Sequence, residues 1–557
     1  MTSRFTHSRL WLVGWLSVCV LLLFAMRSHA QEPGVTLLHI SDYHSHGPAF
    51  YSAGEPDQGG IARLIGYLKS RRAEPNVIIL SGGDTMNAGS PAWSDKHQCA
   101  EWEWFNGLLD AQALGNHDAD YGQAVFQKCQ AKITYPILSA NVMTDGKPIF
   151  PDAYKVFDVG GMRVGIFALA GEDFERITKA ENRPVAGALF ADRVETARTV
   201  VADLQAEDVD AIVLFGHAYR EEDEALARAV PGIDVILGTH SHLAVDLTQI
   251  EGTETYYISP YQYGTYVSEV KLQREGETLI VAGQLIPMDE SVTPDPEIAA
   301  QVRDMQAALE SDPKYAPLFQ VIGEAEVELA TTDHLQRDSV LGNLTADLIR
   351  GEVGAHVALL TASSFREPIP PGKITEEHLR TTMPYPNAVI VYQASGADIQ
   401  KILDYSVSRA GSDFFSQVSG LRFIIRDGKA TDVQILAAAE SGTFMALDPT
   451  ATYSLATSEF QGRFAGGYKE LFAPLAYEAT AVKDVRDTVR AYFAAHRPVR
   501  AERDGRIAHA TDTLPAPTPG ALPGSGGTSS FPYLIVGIGS ACLVLALVFW
   551  RRRQVVS

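Results

Sequence analysis

Five short apolar runs, rich in β-branched side chains, each break off into glycine and polar residues. In chain order the runs cover residues 35–40, 77–80, 112–114, 211–215 and 235–237. Runs of this length and composition predict buried β-strands. In an open α/β sheet, the residues that follow such strands lie on loops at one edge, where positions distant in sequence converge on one crevice. We therefore expect an α/β fold with one site at that edge.

The side chains that follow these runs are oxygen and imidazole donors of the kind that bind metal ions. They are Asp42, His44, Asp84, Asn116, His217, His240 and His242. Asp84 has two carboxylate oxygens and follows two glycines that let the backbone come close, so we expect it to bridge two divalent ions. The remaining ligands of one ion would be Asp42, His44 and His242, and those of the other Asn116, His217 and His240. A shell without thiolate suits Mn, Zn or Fe better than Ca or Mg, and the choice among these three stays open.

Two residues next to the expected ligands, His117 and Asp120, point to a proton donor. Two cations about 3.5 to 4 Å apart polarise a phosphoryl oxygen and lower the pKa of a bridging water from 15.7 toward about 7, so that hydroxide exists at neutral pH. The leaving alkoxide then needs a proton, which we expect His117 to supply. Asp120 is expected to orient the imidazole and raise its pKa. The pattern therefore predicts metal-dependent hydrolysis of a phosphoester.

Each motif alone is a weak signal, because an Asp-x-His or Gly-His pair arises by chance in most chains of this length. Five such segments in order, each after a buried run, instead favour a metal site. Two further histidines are left out of it. His39 lies within the first run and is interpreted as a core histidine, and His46 is interpreted as lining the cleft without an assigned role.

The ordered segments resemble a known family pattern. Asp-x-His, Gly-Gly-Asp, Gly-Asn-His-Glu/Asp-x-Asp, Gly-His and Gly-x-His-x-His stand at residues 42–44, 82–84, 115–120, 216–217 and 238–242. Residues 35–290 resemble the calcineurin-like metallophosphoesterases, and residues 35–505 resemble the 5′-nucleotidase family, which includes periplasmic UDP-sugar hydrolases. The resemblance implies a four-layered α/β-β/α sandwich with a second α/β substrate-specificity domain. It also implies that His117 and Asp120 form the catalytic dyad.

The N-terminal end predicts export. Residues 1–30 combine Arg4 and Arg9 with an apolar run and the small-x-small pattern Ser28-His29-Ala30. This combination is typical of a secretory signal peptide that is removed from the mature protein. The metallophosphoesterase domain is then expected over residues 31–290.

A boundary is predicted near residue 290, where prolines precede a segment, residues 297–309, with the Ala-rich, charged pattern of an exposed helix. We interpret residues 291–319 as a helical interdomain connector and residues 320–508 as the 5′-nucleotidase C-terminal domain. Within that domain, residues 342–347 resemble a helix start of the family and residues 416–421 one of its strands. Both are interpreted as fold signatures, with Asn343 in a structural role.

The C-terminal end carries a second apolar run. Residues 509–530 form a Pro/Gly/Ser/Thr linker that contains Leu522-Pro523-Gly524-Ser525-Gly526, which resembles a sortase site. Residues 531–550 are predicted to be a transmembrane helix, and the basic tail 551–557 is predicted to stay in the cytoplasm. A permanent membrane anchor and sortase attachment to the cell wall both stay open. Either alternative places the body on the extracellular side of the membrane.

Net charge limits the partners of the exported body. The chain has 46 basic and 68 acidic side chains, and six of its arginines lie in the two terminal segments, which contain no acid. The body therefore keeps 40 basic side chains, a net formal charge of about −28. We expect no nucleic acid partner, because electrostatic attraction to phosphate backbones is lacking. A small-molecule phosphoester must be attracted locally, by the metals and a few arginines.

Two of the four cysteines, Cys99 and Cys129, lie in the exported body. An oxidising compartment favours a disulfide between them, which would join the loop after the Asp84 segment to the helix after Asn116. Two unpaired thiols remain the alternative, because spacing in sequence does not establish proximity.

The substrate positions of the 5′-nucleotidase family map onto this chain with mixed success. Residues 361–366 replace its Asn-Gly-Gly-Gly-Ile-Arg loop but keep the arginine, so Arg366 is predicted to contact phosphate or ribose. Arg337 matches a second family arginine more loosely. Phe415 and Phe460 match the aromatic pair that sandwiches a nucleobase, with ordinary core packing as the alternative.

One departure concerns the sugar. The family motif Gly-Gly-Asp-Gly-Tyr has an aspartate that binds ribose hydroxyls, and Gly466 stands at that position here. Losing a buried acceptor changes specificity strongly, because polar groups left unpaired in a closed site are costly. Arg463 nearby either favours a more anionic substrate or lies exposed in solvent.

Three classes of function follow from these observations. The first is hydrolysis of 5′-nucleotides to nucleoside and phosphate, with nucleotide sugars or cyclic nucleotides as candidate further substrates. The second is the same chemistry on a non-nucleotide anionic ester, such as a sugar phosphate or the substrate of the related thiosulfohydrolases. The third is a silent surface-binding protein, which is disfavoured because every expected ligand and both dyad residues are present.

Overall fold

The computed structural model describes residues 33–52, 54–89, 91–438 and 442–512. The predicted signal peptide, nearly all of the linker, the C-terminal apolar run and the basic tail lie outside these residues. Within the part of the chain that is described, no helix is both long enough and apolar enough to cross a bilayer.

The N-terminal half of the chain alternates short strands with helices. Its strands are β1 Gly34–Ile40, β2 Phe50–Ser52, β3 Glu55–Gln58, β4 Val77–Ser81, β5 Ala111–Ala113, β6 Ile137–Leu138, β7 Val142–Thr144, β8 Lys147–Pro148, β9 Tyr154–Val159, β10 Met162–Phe167, β11 Leu189–Phe190, β12 Ala211–Leu214, β13 Val235–Leu237, β14 Ala244–Gln249, β15 Tyr256–Pro260, β16 Tyr266–Glu275 and β17 Thr278–Pro287. Its helices are α1 Ile61–Arg72, α2 Ala92–His97, α3 Ala100–Trp104, α4 Gln123–Gln130, α5 Phe174–Ile177, α6 Arg193–Ala206 and α7 Arg220–Ala229.

Two six-stranded sheets form the centre of this half, in the orders β17-β16-β1-β4-β5-β6 and β14-β15-β13-β12-β10-β9. The central strands are parallel: β1 pairs with β4, β4 with β5, and β12 with β13. The strands toward the edges, such as β16 and β9, pair antiparallel with their neighbours. Parallel central strands end on the same edge of a sheet, which is where ligands are expected to bind.

The alternation of side chains along β1 shows how the layers are built. Val35 and Leu37 join an apolar core between the two sheets, whereas Leu38 and Ile40 face α1 and the later helix Pro296–Ser311 on the outside. Successive residues of a strand point to opposite faces, so one buried strand contributes to two cores. A third core packs α6 and α7 against the outer face of the second sheet. The four-layered sandwich expected from the sequence is confirmed.

The five strands predicted from the sequence are confirmed as β1, β4, β5, β12 and β13. Their ends differ from the predicted ends by at most one residue. Differences of this size are usual at the ends of elements.

A helix also occurs in the segment predicted as the connector: α8, Pro296–Ser311. The carboxylate of Asp295 caps it by accepting hydrogen bonds from the backbone nitrogens of its first turn. The same carboxylate lies 2.7 Å from Lys69 of α1. The sequence indicated an exposed helix, but Ile298, Val302 and Leu309 are buried against the N-terminal half.

The remaining strands and helices build a second α/β unit. Its strands are β18 Val321–Ala325, β19 Val357–Thr361, β20 Gly372–Thr375, β21 Val389–Ser395, β22 Ser416–Ser419, β23 Leu421–Arg426, β24 Lys429–Leu436, β25 Phe444–Ala446, β26 Thr452–Ser458, β27 Ala476–Ala479 and β28 Ile507–His509. Its helices are α9 Val340–Val353, α10 Glu376–Thr382, α11 Gly396–Ser408, α12 Glu459–Arg463, α13 Tyr468–Phe472 and α14 Val485–Ala495.

A five-stranded sheet, β22-β19-β26-β21-β27, lies at the centre of the second unit. One of its faces packs against α11 and the strands β23 and β24, and the other against α9 and α14. The structural role expected of Asn343 is confirmed: its amide donates to Asp338 at 2.9 Å and to Asp504 at 3.1 Å. It therefore ties α9 to the last loop of the unit.

Cys99 and Cys129 form a disulfide, the first of the two alternatives. Cys99 immediately precedes α3, and Cys129 lies near the end of α4. Both residues are buried in a core beneath the loop that carries His117 and Asp120. The bond therefore fixes two short helices that support the candidate site.

Candidate metal centre and interdomain cleft

The loops at the carboxyl edge of both sheets carry all seven residues predicted to bind metal. Six of them are buried, and His242 is partly exposed. Five of the seven have left-handed backbone conformations, with φ between 49° and 53°: Asp42, His44, Asp84, His240 and His242. This conformation is costly for residues other than glycine and persists where the surrounding structure enforces it, often at functional sites.

Glycines let the Asp84 and Asn116 loops touch. A Cβ atom at Gly115 would lie 2.1 Å from the backbone nitrogen of Asp84, which is far inside any allowed contact. Gly83 has a φ of 87°, a conformation that glycine adopts without strain. The glycines of these two motifs are therefore required by the close approach of the two loops.

Asp118 joins the same two loops, a role that the sequence did not reveal. Its fully buried carboxylate accepts hydrogen bonds from the backbone nitrogens of Gly115 at 2.8 Å, Thr85 at 2.8 Å and Asp84 at 3.2 Å. Burial, reinforced by the charge of Asp84, raises the pKa of Asp118 to about 7. The only signal in the sequence was its place in the Gly-Asn-His-Asp segment.

One cluster of donor atoms surrounds His217. Its Nδ1 donates to the carbonyl of Gly82 at 2.7 Å, so in the neutral imidazole the lone pair is on Nε2. That Nε2 lies 3.1 Å from Asn116 Oδ1, 3.1 Å from His240 Nδ1 and 3.2 Å from Asp84 Oδ2. These four residues match the ligand set predicted for one of the ions.

A second cluster surrounds Asp42, whose Oδ1 also lies 3.8 Å from His217 Nε2 of the first cluster. His242 Nε2 lies 3.2 Å from Asp42 Oδ1 and 3.2 Å from His44 Nε2. His44 Nε2 also lies 3.7 Å from Asp84 Oδ2. Asp84 Oδ2 is therefore adjacent to both clusters, and it is a buried atom without a hydrogen-bond partner in the described part of the chain.

The spacing and chemistry of these atoms fit divalent metal ions. Donor atoms bound to one ion at about 2.0 to 2.2 Å lie roughly 2.9 to 3.6 Å from each other. Most of the distances within each cluster fall in this range. Imidazole nitrogens, carboxylates and one amide oxygen, without thiolate, form a donor set suited to transition metals.

The electrostatics of the clusters also suit a cation. Burial raises the pKa of Asp42 and Asp84, but the neighbouring histidines, His217 first among them, outweigh burial and hold both pKa values below their usual range. Both carboxylates are therefore ionised at neutral pH. Two buried, ionised carboxylates attract a positive ion, and a divalent ion would take the place of the protons on the neighbouring imidazoles.

His117 and Asp120 lie together at the mouth of the site. His117 Nδ1 is 2.6 Å from Asp120 Oδ2, and the His117 backbone nitrogen donates to Asp84 Oδ1 at 2.8 Å. Burial lowers the pKa of His117, but Asp120 and Asp84 outweigh it and raise the pKa well above its usual value. The predicted pair is thus in direct contact, with the imidazole anchored next to the candidate metal ligands.

The second half of the molecule reaches over this site. Arg366 Nη1 lies 2.6 Å from His242 Nδ1, and Glu367 Oε1 lies 2.6 Å from His46 Nε2. A narrow cavity lies between the halves and is lined from both sides, with Tyr385 and His117 among its lining residues. The interpretation of His46 as a cleft residue agrees with this position.

The contact between Arg366 and His242 has a consequence for metal binding. Guanidinium groups only donate, so Nδ1 of His242 accepts and the proton of a neutral imidazole lies on Nε2. Binding a metal through Nε2 needs the proton on Nδ1 instead. His242 would bind a metal through Nε2 only in the other tautomer, in which Nδ1 carries the proton and no longer accepts from Arg366.

The other predicted substrate residues lie elsewhere in the second unit. Arg337 pairs with Asp512 at 2.6 Å and lines a different cavity. Phe415 has no exposed surface and belongs to the core around α11, and Phe460 packs against the same core while partly exposed. Their roles in substrate binding remain predictions.

His39 in the first sheet was interpreted correctly from the sequence, whereas two residues at the cleft were not identified from it. His39 is fully buried, and burial lowers its pKa to about 3, as expected of a core histidine. Glu367 and Tyr385 were not identified from the sequence. The prolines that flank Tyr385 mark a loop but give no indication of what the loop faces.

Metal-dependent hydrolysis of phosphoesters is the class of function that this fold and site define. Comparison with known families agrees: the calcineurin-like phosphoesterase family matches residues 35–244, and the 5′-nucleotidase C-terminal domain matches residues 321–473. The order of the two matches is the order of the two units described above.

Individual relatives cover most of the chain. The 5′-nucleotidase of Vibrio cholerae serotype O1 is 28% identical over 529 residues, which is 84% of this chain and 92% of that protein. The structure of a 5′-nucleotidase precursor from Thermus thermophilus is similar with a TM-score of 0.68 and 27% identity, covering 86% of this chain and 100% of that one. A Thermus thermophilus sulfate thiohydrolase shares the fold, with a TM-score of 0.67 at 19% identity, covering 87% of this chain and 98% of that one. This chain belongs to the 5′-nucleotidase family and is a metal-dependent phosphoester hydrolase.

Proposed function

We propose that this chain is a dinuclear-metal enzyme that hydrolyses 5′-nucleotides to nucleoside and phosphate outside the cell. The observation that carries the proposal is the position of Asp84 Oδ2 between two donor clusters. It lies 3.2 Å from His217 Nε2 in one cluster and 3.7 Å from His44 Nε2 in the other. Two divalent ions, of Mn, Zn or Fe, would polarise the phosphoryl group and lower the pKa of a water molecule.

His117 and Asp120 supply the proton for the leaving group in this proposal. Asp120 holds the Nδ1 side of the imidazole at 2.6 Å, which leaves Nε2 directed away from the aspartate. An imidazolium in that orientation gives its Nε2 proton to the departing oxygen. His117 is 21% exposed, so the proton can be replaced from solvent after each turnover.

Arg366 attracts the phosphate. The body of the protein is strongly acidic, and Arg366 brings a guanidinium to within 2.6 Å of a candidate ligand. Its planar fork suits two oxygens of a phosphate group. It lines the cleft cavity together with His117 and His242, where it would bind the phosphoryl oxygens of the substrate.

Phosphate release from a panel of esters tests the proposal. The purified protein is stripped of metal, reconstituted with Mn²⁺, Zn²⁺ or Fe²⁺, and assayed on AMP, UDP-glucose, a cyclic nucleotide and glucose 6-phosphate. We expect AMP to be hydrolysed with the highest kcat/KM and two metal ions per chain by elemental analysis. One ion at full activity would contradict the dinuclear site, and activity only on esters without a base would contradict the nucleotidase.

A non-nucleotide anionic ester remains the second candidate, and Gly466 is the observation that favours it. No side chain occupies this position, and a Cβ added there would meet no atom within 4 Å in the described chain. The space around Gly466 could hold an aspartate side chain, but this chain places no carboxylate there. A higher kcat/KM on glucose 6-phosphate or a sulfur ester than on AMP would establish this candidate.

Secretion and surface attachment complete the proposal and rest on segments outside the described residues. The full chain, expressed in a bacterium with a sortase, is expected in the cell-wall fraction or the membrane fraction. Substitution of Leu522 and Pro523 by alanine separates the two alternatives, because it blocks sortase cleavage and leaves a membrane helix intact. Recovery of the full chain in the cytoplasm would contradict both.

A further inference from the structure

The loop after β10 carries a buried carboxylate, Asp173, close to the candidate metal ligands. β10 is parallel to β12, so the loop that follows it reaches the same sheet edge as Gly216 and His217. The two loops are directly joined, because the backbone nitrogen of His217 donates to the carbonyl of Leu169 at 2.8 Å. Asp173 follows four residues later and is only 8% exposed. A charged group buried to this extent requires a partner.

Asp173 has few partners for a buried carboxylate. Its Oδ1 is buried and has no hydrogen-bond partner within the described residues. Its Oδ2 lies 3.4 Å from Nη2 of Arg176, a side chain that is 51% exposed. The same Oδ2 lies 3.8 Å from Nε2 of His240, one of the candidate metal ligands. Leaving a buried acceptor without a partner is costly, so the position of Asp173 beside His240 needs a physical explanation.

His240 presents its two ring nitrogens to different neighbours. Nδ1 lies 3.1 Å from His217 Nε2 and belongs to the first cluster. Nε2 is buried and has no hydrogen-bond partner in the described part of the chain. A neutral imidazole that binds a metal through Nδ1 carries its proton on Nε2, and that N–H needs an acceptor. The carboxylate within 4 Å of this nitrogen is that of Asp173.

The ring of His240 is confined, which leaves little freedom to find another acceptor. The centre of the Tyr219 ring lies 4.3 Å from its own centre, and that of Phe174 lies 6.4 Å away. The backbone nitrogen of His240 donates to Asp42 Oδ2 at 3.0 Å. A hydrogen bond from N–H to a carboxylate measures about 2.7 to 2.9 Å, so an approach of about 1 Å by Asp173 completes it.

We propose that Asp173 is a positioning residue of the metal centre, whose carboxylate accepts the Nε2 proton of His240 and directs Nδ1 toward the metal ion. A carboxylate on the outer nitrogen of an imidazole fixes the tautomer and makes the inner nitrogen a stronger ligand. The inference rests on the dinuclear site proposed above. Because His240 belongs to the cluster around His217, we expect the effect at that ion and not at the ion of the second cluster.

Metal binding by the protein stripped of metal tests the inference. The wild type, Asp173→Ala, Asp173→Asn and Arg176→Ala are titrated with Zn²⁺ in competition with a chromophoric chelator, which gives the Kd of each ion. Loss of a group that orients a metal ligand typically lowers metal affinity about 10- to 100-fold. We expect Asp173→Ala to raise the Kd of one ion by this factor and to leave the other within about twofold. Asp173→Asn keeps an oxygen acceptor and should lose less.

Arg176→Ala is the matched control, because it removes the other neighbour of the same carboxylate and leaves Asp173 in place. Both of its Kd values are expected to equal those of the wild type. An equal rise in Arg176→Ala would show that the ion pair with Arg176, and not the contact with His240, supports the site. Unchanged Kd values in Asp173→Ala, or a parallel loss of both ions together with a lower Tm of the metal-free protein, would also overturn the inference.

Hydrolysis of AMP separates this inference from the proposed function. Saturating Zn²⁺ should restore the kcat of Asp173→Ala, because the variant lacks affinity for an ion and not a reacting group; a kcat that stays low with both ions bound would contradict the inference. A wild type that binds two ions without hydrolysing AMP would overturn the nucleotidase, and the Kd values would still decide the role of Asp173. A wild type that binds one ion would overturn the dinuclear site, and an unchanged Kd of that ion in Asp173→Ala would then overturn the inference as well.

Discussion

At the scale of single residues, the 2.6 Å contact between His117 and Asp120 leads us to expect that the two side chains act together in the proposed proton transfer. Loss of a general acid typically costs about 100- to 10,000-fold in rate. We expect His117→Ala to lower kcat in this range, Asp120→Asn to lower it less, and the double variant to be no worse than His117→Ala. Phosphate release from AMP measures all three, and elemental analysis should find unchanged metal content. Losses that multiply in the double variant would show that the residues act independently.

Glu101 gives a prediction about pH and stability. Its fully buried carboxyl accepts a hydrogen bond from Trp93 Nε1 at 2.6 Å, and burial raises its pKa from 4.5 to about 7. Between these two pH values the unfolded chain releases the proton and the folded chain keeps it, so the free energy of unfolding falls as pH rises. The contribution present below pH 4.5 is lost above pH 7 and amounts to about 3 kcal/mol.

Urea unfolding at pH 5 and pH 8 measures this effect. The wild type is expected to lose more stability between the two pH values than Glu101→Gln, which keeps an acceptor for Trp93 but does not titrate. Because other groups titrate equally in both proteins, the difference between the two slopes isolates Glu101. Identical slopes would mean that the carboxyl is ionised in the folded protein throughout this range.

The candidate ligands were predictable from sequence because each follows a buried run, and the chain direction of a parallel sheet brings such positions together. Asp118 was not assigned a role, since its importance depends on three backbone nitrogens that approach it only in the folded chain. Phe415 illustrates the opposite difficulty. A match to an aromatic position does not reveal whether the ring faces a cleft or the core, and here it is buried.

At the scale of elements, the disulfide between Cys99 and Cys129 fixes α3 and α4 beneath the His117 loop. It links positions 30 residues apart, and closing a loop of this size stabilises a protein by about 2 to 4 kcal/mol. We expect the Cys99→Ser/Cys129→Ser variant to be less stable by this amount in urea unfolding, with a lower Tm. Reducing agent should lower the Tm of the wild type and leave that of the double variant unchanged; an equal response of both would contradict the assignment.

The burial of the strands was easier to predict than the burial of the connector helix, for a physical reason. A continuous β-branched run is buried on both faces in any sandwich, so its pattern depends little on neighbours. The burial of one face of α8 depends instead on α1, to which Asp295 joins it through Lys69. That contact spans 226 residues and has no local signal.

At the scale of the whole molecule, a cleft was expected from the sequence, but the contacts across it were not. It depends on pairs such as His46 with Glu367, which are separated by 321 positions. Neither residue belongs to a motif that predicts its partner. The candidate metal ligands lie on the first half and Arg366 on the second, so the proposed site is complete only when the halves are together.

Opening and closing of the two halves about the connector is therefore expected to accompany turnover. His46 and Glu367 are in contact at 2.6 Å across the cleft, with side chains only 7% and 13% exposed. A hydrogen bond of this kind to a charged group contributes about 1.5 to 3 kcal/mol. Glu367→Ala should shift the population toward the open form and lower kcat/KM for AMP by roughly 10- to 100-fold.

Small-angle X-ray scattering of the metal-loaded protein with a non-hydrolysable AMP analogue measures the shift directly. The wild type is expected to become more compact as the analogue is added, and Glu367→Ala should need a higher concentration for the same change. Glu352→Ala, which removes an exposed glutamate of α9 away from the cleft, should behave like the wild type. A radius of gyration that does not respond to the analogue in any of the three proteins would mean that the cleft binds substrate without closing.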